Sequence, residues 1–336
     1  MRTEGRDYDH VTQISNGQFP VSRSLLSPDA LARALETAYG LSDARCRLIK
    51  ATVNDVYRVD AASGPHLLRI HRTQGQSVAA ITGELDLLDS LQARGLAVGP
   101  AVRQQSGERV LTFRAPEGPR HAALFAFVPG ELLSRTPDQQ MIRRYARVVA
   151  RLHLLTDGLP CVGDRPRWDF DLLVTRPIAA IERVIARPDD VAYLKAVAAR
   201  LQPIMAAFPM DVPAYGLVHG DLIPSNALVG ADGAVALIDF DFYGLGWRAY
   251  DLASYLAELR YWRAADGTAW AFLDEYQRIR PLANWELAIL PALEAARTIF
   301  TLGIPAQHVD VWGSAYLTDR MIDTMLEGVR QSMSRI

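Results

Sequence analysis

Between Leu217 and Gly244, in the run LVHGDLIPSNALVGADGAVALIDFDFYG, the chain sets Asp221, Asn226, Asp239 and Asp241 among otherwise apolar residues. Their types fit two jobs. A carboxylate such as Asp221 can orient a hydroxyl and take its proton as that hydroxyl attacks. An amide oxygen at Asn226 and a carboxylate at Asp239 are hard ligands of the kind magnesium prefers. The short apolar runs GLVHG and AVALIDF read as strands around a polar loop, with Asp232-Gly233 as its turn. Loops between short strands are where a scaffold displays reactive groups. Two acids near a turn also make ordinary solvated loops or helix caps. The case for chemistry rests on coincidence in order: H-G-D, an Asn after four intervening residues, I-D-F-D, then Y-D-L-A a short step later.

The elements that must hold these groups follow from periodicity. Ser27 and Pro28 open a helix with Leu31 and Leu35 on one face and Gly40 as its stop. CRLIKATVNDVYRVDAASGPHLLRIHR reads as successive strands broken at Ser63-Gly64-Pro65. Ser77 caps an amphipathic helix whose stripe is Ile81, Leu85, Leu88 and Leu91, ending at Arg94-Gly95. Strands are expected around Pro100–Gln105 and Arg109–Phe113, and AALFAFVPGELL is a buried strand running into a Pro129-Gly130 break. Beyond it, Thr136-Pro137-Asp138 opens a long helix that stops near Gly158, and from about Asp189 the chain is mainly helical. The expectation is a bilobal α+β fold, β-rich then helical, with a cleft at the hinge. Its parts are an N-terminal arm over 1–26, mobile or draped on the body, a first lobe over 27–128 and a second lobe over 129–336.

Composition narrows the class. The 336 residues are 49% hydrophobic and 22% charged with a formal net charge of -2, so no basic excess exists to neutralise a nucleic-acid backbone. Cys46 and Cys161 are the only cysteines and sit in no metal spacing. The N-terminus lacks an apolar signal segment and no stretch is long enough to cross a bilayer. A cytoplasmic protein is expected, with no membrane or nucleic-acid partner, as a monomer or homodimer.

The spacing D-x-x-x-x-N, hairpin, D-F-x matches the phosphoryl-transfer arrangement of protein kinases. More specifically, VHGDLIPSN, LIDFDFYGLGWRAYDLA and the upstream VARLH resemble the aminoglycoside phosphotransferase and choline kinase-like family, over most of the chain and most closely in the second lobe. That resemblance implies a protein-kinase-like fold and transfer of the γ-phosphate of ATP, or GTP, with magnesium, to a hydroxyl of a small acceptor. Members act on antibiotics, choline, homoserine and hydroxylysine, and some stress kinases act on proteins. It implies Asp221 as base, Asn226 and Asp239 as metal ligands, Asp241 near the metal or its waters, and Asp251 as a carboxylate bracing the loop. His219 then shapes the loop rather than moving protons. Asp251 also suits a helix N-terminus.

In the first lobe the same resemblance makes LIKATVNDVYRV the phosphate-covering loop, though it has no glycine; Thr52 and Asn54 would serve it, beside Asp55. Arg69 stands where the family carries Lys or Arg, and Glu84 is its expected helical partner; the alternative is a pair of surface charges. Adenine would be read near Phe125, Phe127 and Val128, unless this is only a buried strand meeting a turn. For the acceptor, Tyr255, Glu258, Tyr261, Trp262, Glu294 and Arg297 offer charge and aromatic surface, or else are core. Trp168, Asp169 and Asp171 in RWDFD are a second specificity element or an exposed turn. Three functions stay open: a small-molecule kinase, a protein Ser/Thr kinase, and a pseudokinase that binds nucleotide without turnover. A metal-dependent hydrolase ranks last, because His219 has no second His in ligand spacing.

Overall fold

The computed structural model describes residues 20–336 apart from Gln74 and Asp266. Helix α1 (Pro28–Tyr39) leads into β1 (Arg45–Ala51), β2 (Asp55–Ala61) and β3 (Gly64–Ile70). Helix α2 (Val78–Ala93) follows, then β4 (Val110–Ala115) and β5 (Gly118–Ala126). These strands form one antiparallel sheet in the order β1-β2-β3-β5-β4. Ser77 caps α2 through its side chain, which accepts from Ala80 N, as its position predicts. Pro100–Gln105 does not form the expected strand. Its pairing is limited to Ala101 opposite Phe125 of β5, where Ala126 N donates to Pro100 O at 2.9 Å and Val102 N to Leu124 O at 2.7 Å.

The second lobe begins with β6 (Glu131–Leu132) and α3 (Gln139–Leu155), which Asp138 caps at Met141 N. Next come β7 (Arg167–Trp168), a π-helical turn over Asp171–Thr175, α4 (Arg176–Val184) and α5 (Pro188–Ala206). The loop-bearing region is β8 (Tyr215–Val218), β9 (Ala227–Val229), β10 (Val235–Leu237) and β11 (Gly244–Trp247). Helices α6 (Arg248–Tyr261), α7 (Thr268–Ile279), α8 (Asn284–Ala288), α9 (Leu290–Gln307), α10 (Val309–Trp312) and α11 (Asp319–Met333) complete the body. The two expected strands around the acidic loop do not pair with each other. β9 and β10 make the hairpin, whereas β8 pairs with β11 in a separate small sheet. The intervening loop is therefore stretched between two sheets and fixed at both ends.

The core has two parts. One face of the first-lobe sheet packs on α1 through Leu31, Leu35, Tyr57, Val59, Leu68 and Leu124. The α2 stripe Ile81, Leu85, Leu88 and Leu91 belongs instead to the large core, which joins the helical body to Ala123 of the sheet. A carbon added at Gly83 of α2 would stand 2.2 Å from Val162 O, so the body approaches that helix as closely as its backbone allows.

Of the arm, residues 1–19 lie outside the described residues. The rest is tied down: Arg23 pairs with buried Asp55, and Ser24 donates to Glu117. Arg120, itself buried, joins Asp55 at 2.7 Å to Ser24 O at 2.9 Å. Among the described residues, no helix is long and apolar enough to cross a membrane, and both cysteines are free.

Candidate active site

The loop carrying Asp221 is built from behind. Asp251, fully buried in α6, accepts the backbone N–H of His219 at 2.7 Å and of Gly220 at 3.0 Å. Gly220 has φ 82°, and a side chain there would strike Phe242 O at 2.2 Å and the Trp168 ring. Only glycine makes this turn. Asp251 also accepts from His153 Nε2 at 3.1 Å, and His153 Nδ1 meets Tyr276 OH at 2.7 Å. Burial alone would raise the Asp251 pKa, but the His153 hydrogen bond and the neighbouring donors hold it below the ordinary range. Burial lowers His153 to about 4 against the pull of Asp251. His153 is the last letter of VARLH. The motif was legible, but its contact with a residue 98 positions away was not.

His219 donates Nε2 to Ile238 O at 3.0 Å, while Nδ1 faces Asp221 N at 3.3 Å. Both ring nitrogens serve the backbone, so the ring holds the loop's shape. Asp221 lies at its tip, with 20% of the side chain exposed. Asn226 Nδ2 donates to Asp221 Oδ2 at 2.8 Å and to Asp221 O at 2.9 Å. With its amide hydrogens committed there, Asn226 Oδ1 remains as the ligand atom.

Asp239 is a non-glycine residue in the left-handed region, at φ 61° and ψ 61°. Such a conformation is costly for a residue with a side chain. Its side chain is 44% exposed, and Arg69 Nη1 approaches Oδ1 at 3.3 Å from the other lobe. Desolvation raises the Asp239 pKa; Arg69 opposes this, and the nearby carboxylates of Asp241 and Asp221 reinforce it. Asp241, almost fully buried, accepts from Asn54 Nδ2 at 2.8 Å and Gln76 Nε2 at 3.0 Å, with His71 Nδ1 at 3.6 Å. Burial would raise it too, but Arg69, His71 and the Asn54 bond bring it below the ordinary range. Arg165 lies over the Tyr243 ring and donates to Asp241 O and Gln76.

On the first-lobe side, Arg69 Nη2 donates to Glu84 Oε2 at 2.6 Å, both side chains buried, so the pair is not surface charge. Burial would lower the Arg69 pKa, but Glu84, Asp241 and Asp239 raise it above the usual value. Its guanidinium lies 4.8 Å from the Phe125 ring centre, and Phe127 carries Arg58 at 5.0 Å. Phe125, Phe127 and Val128 are half-buried where the sheet passes into the hinge. Thr52 and Asn54 form the tip between β1 and β2. Thr52 O accepts from Arg72, and Asn54 is engaged by Asp241 rather than pointing freely into the cleft.

The acceptor expectations divide. Tyr255 is buried between Tyr145 at 4.9 Å and Phe272 at 4.6 Å, so it is core and presents nothing to a ligand. Glu294 is buried by Arg260 and Arg335. Trp168 is core as well, stacked on Tyr250 at 4.9 Å. Asp169 Oδ1 accepts Leu172 N at 3.0 Å, the work of a helix cap. Asp171 pairs with Arg176 on the exposed surface. Glu258 accepts from Trp262 Nε1 at 2.9 Å, and Arg135 covers the Trp262 ring at 3.8 Å. Of these residues, Arg297 alone reaches the Asp221 carboxylate: its Nη2 donates to Oδ1 at 2.6 Å.

A five-stranded sheet joined to a helical body, with this loop and the Arg69–Glu84 pair facing each other, defines a protein-kinase-like phosphotransferase fold. Residues 46–285 match the phosphotransferase enzyme family (APH), to which the chain belongs. It is a kinase acting on hydroxyl groups. An uncharacterized protein of Deinococcus radiodurans is 33% identical over 91% of this chain and 90% of its own. A homoserine kinase of Xanthobacter autotrophicus is 31% identical over 71% of this chain and 73% of its own. Among solved structures, a microcompartment-associated aminopropanol kinase aligns with a TM-score of 0.75 at 24% identity, covering 90% of this chain and 95% of that one. An amicoumacin kinase in complex with AMP-PNP and Ca2+ also gives 0.75, at 20% identity and 90% and 94% coverage. The two structures share the fold.

Proposed function

We propose that the protein moves the γ-phosphoryl group of ATP, with magnesium, to a hydroxyl of a small amino alcohol or hydroxy amino acid. One observation carries the reading: Arg69, locked to Glu84 in the first lobe, meets Asp239 of the second, 3.3 Å apart. A phosphate-gripping cation and a metal-binding carboxylate thus converge on one point, beside Asp221 and Asn226. The donor set fits magnesium. Asn226 Oδ1 and Asp239 are hard oxygens, and a cation there would offset the repulsion between Asp239 and the nearby Asp241 and Asp221 carboxylates. Two protein ligands suffice, since magnesium fills its shell with water and phosphate oxygens. Bound there, the ion neutralises charge on the β- and γ-phosphates.

The chain's own groups then act as follows. Arg69 grips phosphate oxygens, and Phe125, Phe127 and Val128 border the base. Asp221 accepts the proton of the acceptor hydroxyl as its oxygen bonds to the γ-phosphorus. The bond to the leaving oxygen breaks, and its electron pair departs on ADP. The acceptor class is drawn from the aminopropanol and homoserine kinases, whose named acceptors carry an amine and a hydroxyl.

A second reading, nucleotide binding without turnover, draws support from the glycine-free tip and its engagement with Asp241. ADP release from magnesium-ATP and magnesium-GTP, measured over amino alcohols, hydroxy amino acids, sugars, aminoglycosides and a protein lysate, separates the readings. Stimulation by an amino alcohol or hydroxy amino acid is expected. Label appearing only in protein bands makes it a protein kinase instead, and nucleotide binding with no ADP release makes it a silent one.

A further inference from the structure

Asp221 is the only described residue of the acidic loop whose side chain is gripped by the C-terminal helices. Asn226 takes Oδ2 from within the loop, and Arg297 of α9, 76 positions away, takes Oδ1 at 2.6 Å. The two donors approach different oxygens, so rotation of the carboxylate about its last bond breaks at least one of them. Each oxygen has a second lone pair, and the exposed part of the side chain leaves room for a hydroxyl to reach one.

Arg297 is fixed in turn. It is nearly buried, its Nη1 lies 3.5 Å from Tyr250 OH, and its guanidinium lies 5.8 Å from the Phe300 ring centre. Tyr250 stacks on Trp168, Phe300 meets Trp168 edge-on at 5.2 Å, and Trp168 Nε1 donates to Phe242 O at 3.0 Å. The same aromatic box therefore sets the guanidinium and steadies the segment just after Asp239. A buried guanidinium needs a carboxylate partner, and here that partner is the candidate base.

We infer that Arg297 is a positioning residue for phosphoryl transfer, holding the Asp221 carboxylate in the one orientation that receives the acceptor's proton. The inference rests on the reading of Asp221 as the base. Phosphoryl transfer passes through a loose transition state, so orientation matters more than the strength of the base. A shift on the order of 1 Å costs about 100-fold in rate.

The test measures ADP release from magnesium-ATP over the amino alcohol and hydroxy amino acid panel, with nucleotide affinity measured separately by calorimetry. Arg297→Met should lower kcat about 100-fold and leave nucleotide affinity unchanged. Arg297→Lys, which can restore one hydrogen bond, should recover part of that loss. Added guanidinium ion should partly restore Arg297→Ala, a rescue that a purely structural role does not give. Parental kcat in Arg297→Met, while Asp221→Asn is inactive, overturns the positioning role and leaves the base standing. Full activity in Asp221→Asn overturns the base itself. A loss in Arg297→Met matched by lost nucleotide affinity, with no recovery by Lys or guanidinium, makes Arg297 structural and sinks the proposal. If Arg297→Met does not fold, Arg297→Lys decides: kcat lowered about tenfold at unchanged nucleotide affinity supports it, and parental kcat overturns it.

Discussion

The loop around Asp221 and the hairpin tip around Asn54 face each other, and they are held in opposite ways. The loop is braced from inside its own lobe: Asp251 takes two of its N–H groups, and Arg297 and Asn226 take its carboxylate. The tip has no glycine; its backbone is held within its own lobe by Arg72 on Thr52 O and by Thr52 N on Asn54 O, but the Asn54 side chain is held from outside, by Asp241 of the opposite lobe. A brace within the lobe gives a fixed geometry whatever the cleft does. A tether across the cleft gives a position that depends on where the other lobe stands.

Substitutions probe that contrast, beginning where the largest loss is expected. Asp221→Asn should lower kcat on the order of 1,000-fold with nucleotide binding intact, read by ADP release and calorimetry. Asp251→Ala strands two buried N–H groups and removes the partner of His153. It should cost about 3–5 kcal/mol in chemical denaturation. If it costs no more than a change at the tip, the internal brace is not what holds the loop. Arg69→Met leaves Glu84 buried without its partner. A loss of about 3 kcal/mol is expected, with nucleotide affinity about tenfold weaker.

Acid should act on the brace before the tether. Burial lowers the folded His153 pKa to about 4, against 6.5 for the free side chain. Between those values the unfolded chain binds the extra proton, so this contribution is complete above pH 6.5 and is lost as pH falls toward 4. Roughly 2 kcal/mol should be gone by pH 5, seen as a falling melting temperature that His153→Asn flattens. Asn54→Ala should have the smallest effect, about 1.5 kcal/mol, because the Asp241 carboxylate loses one donor and keeps Gln76.

The same contrast explains what could be read from residues in order. The fold class followed from periodicity and the Pro129-Gly130 break. Asp221, Asn226 and Asp239 lie within nineteen positions of one another, so their spacing carried the reading. Arg69 and Glu84, 15 apart, were still within reach. The partners 76, 98 and 187 positions apart were not: Arg297 with Asp221, His153 with Asp251, Asn54 with Asp241. Periodicity also cannot tell an aromatic residue facing a cleft from one facing a core, which is why Tyr255 and Trp168 were offered for the acceptor and lie in the interior. Strand pairing misled for a related reason. Runs close in sequence were expected to pair, but β8 found β11 instead.

Helix α2 carries Glu84, and its apolar stripe lies in a core that the helical body shares with Ala123 of the sheet that bears Arg69. The helix is thus wedged between the two lobes, with its Gly83 pressed against Val162 O on the body side. The Arg69–Glu84 pair sits at that wedge, so a shift of α2 away from β3 by more than a hydrogen-bond length would part it.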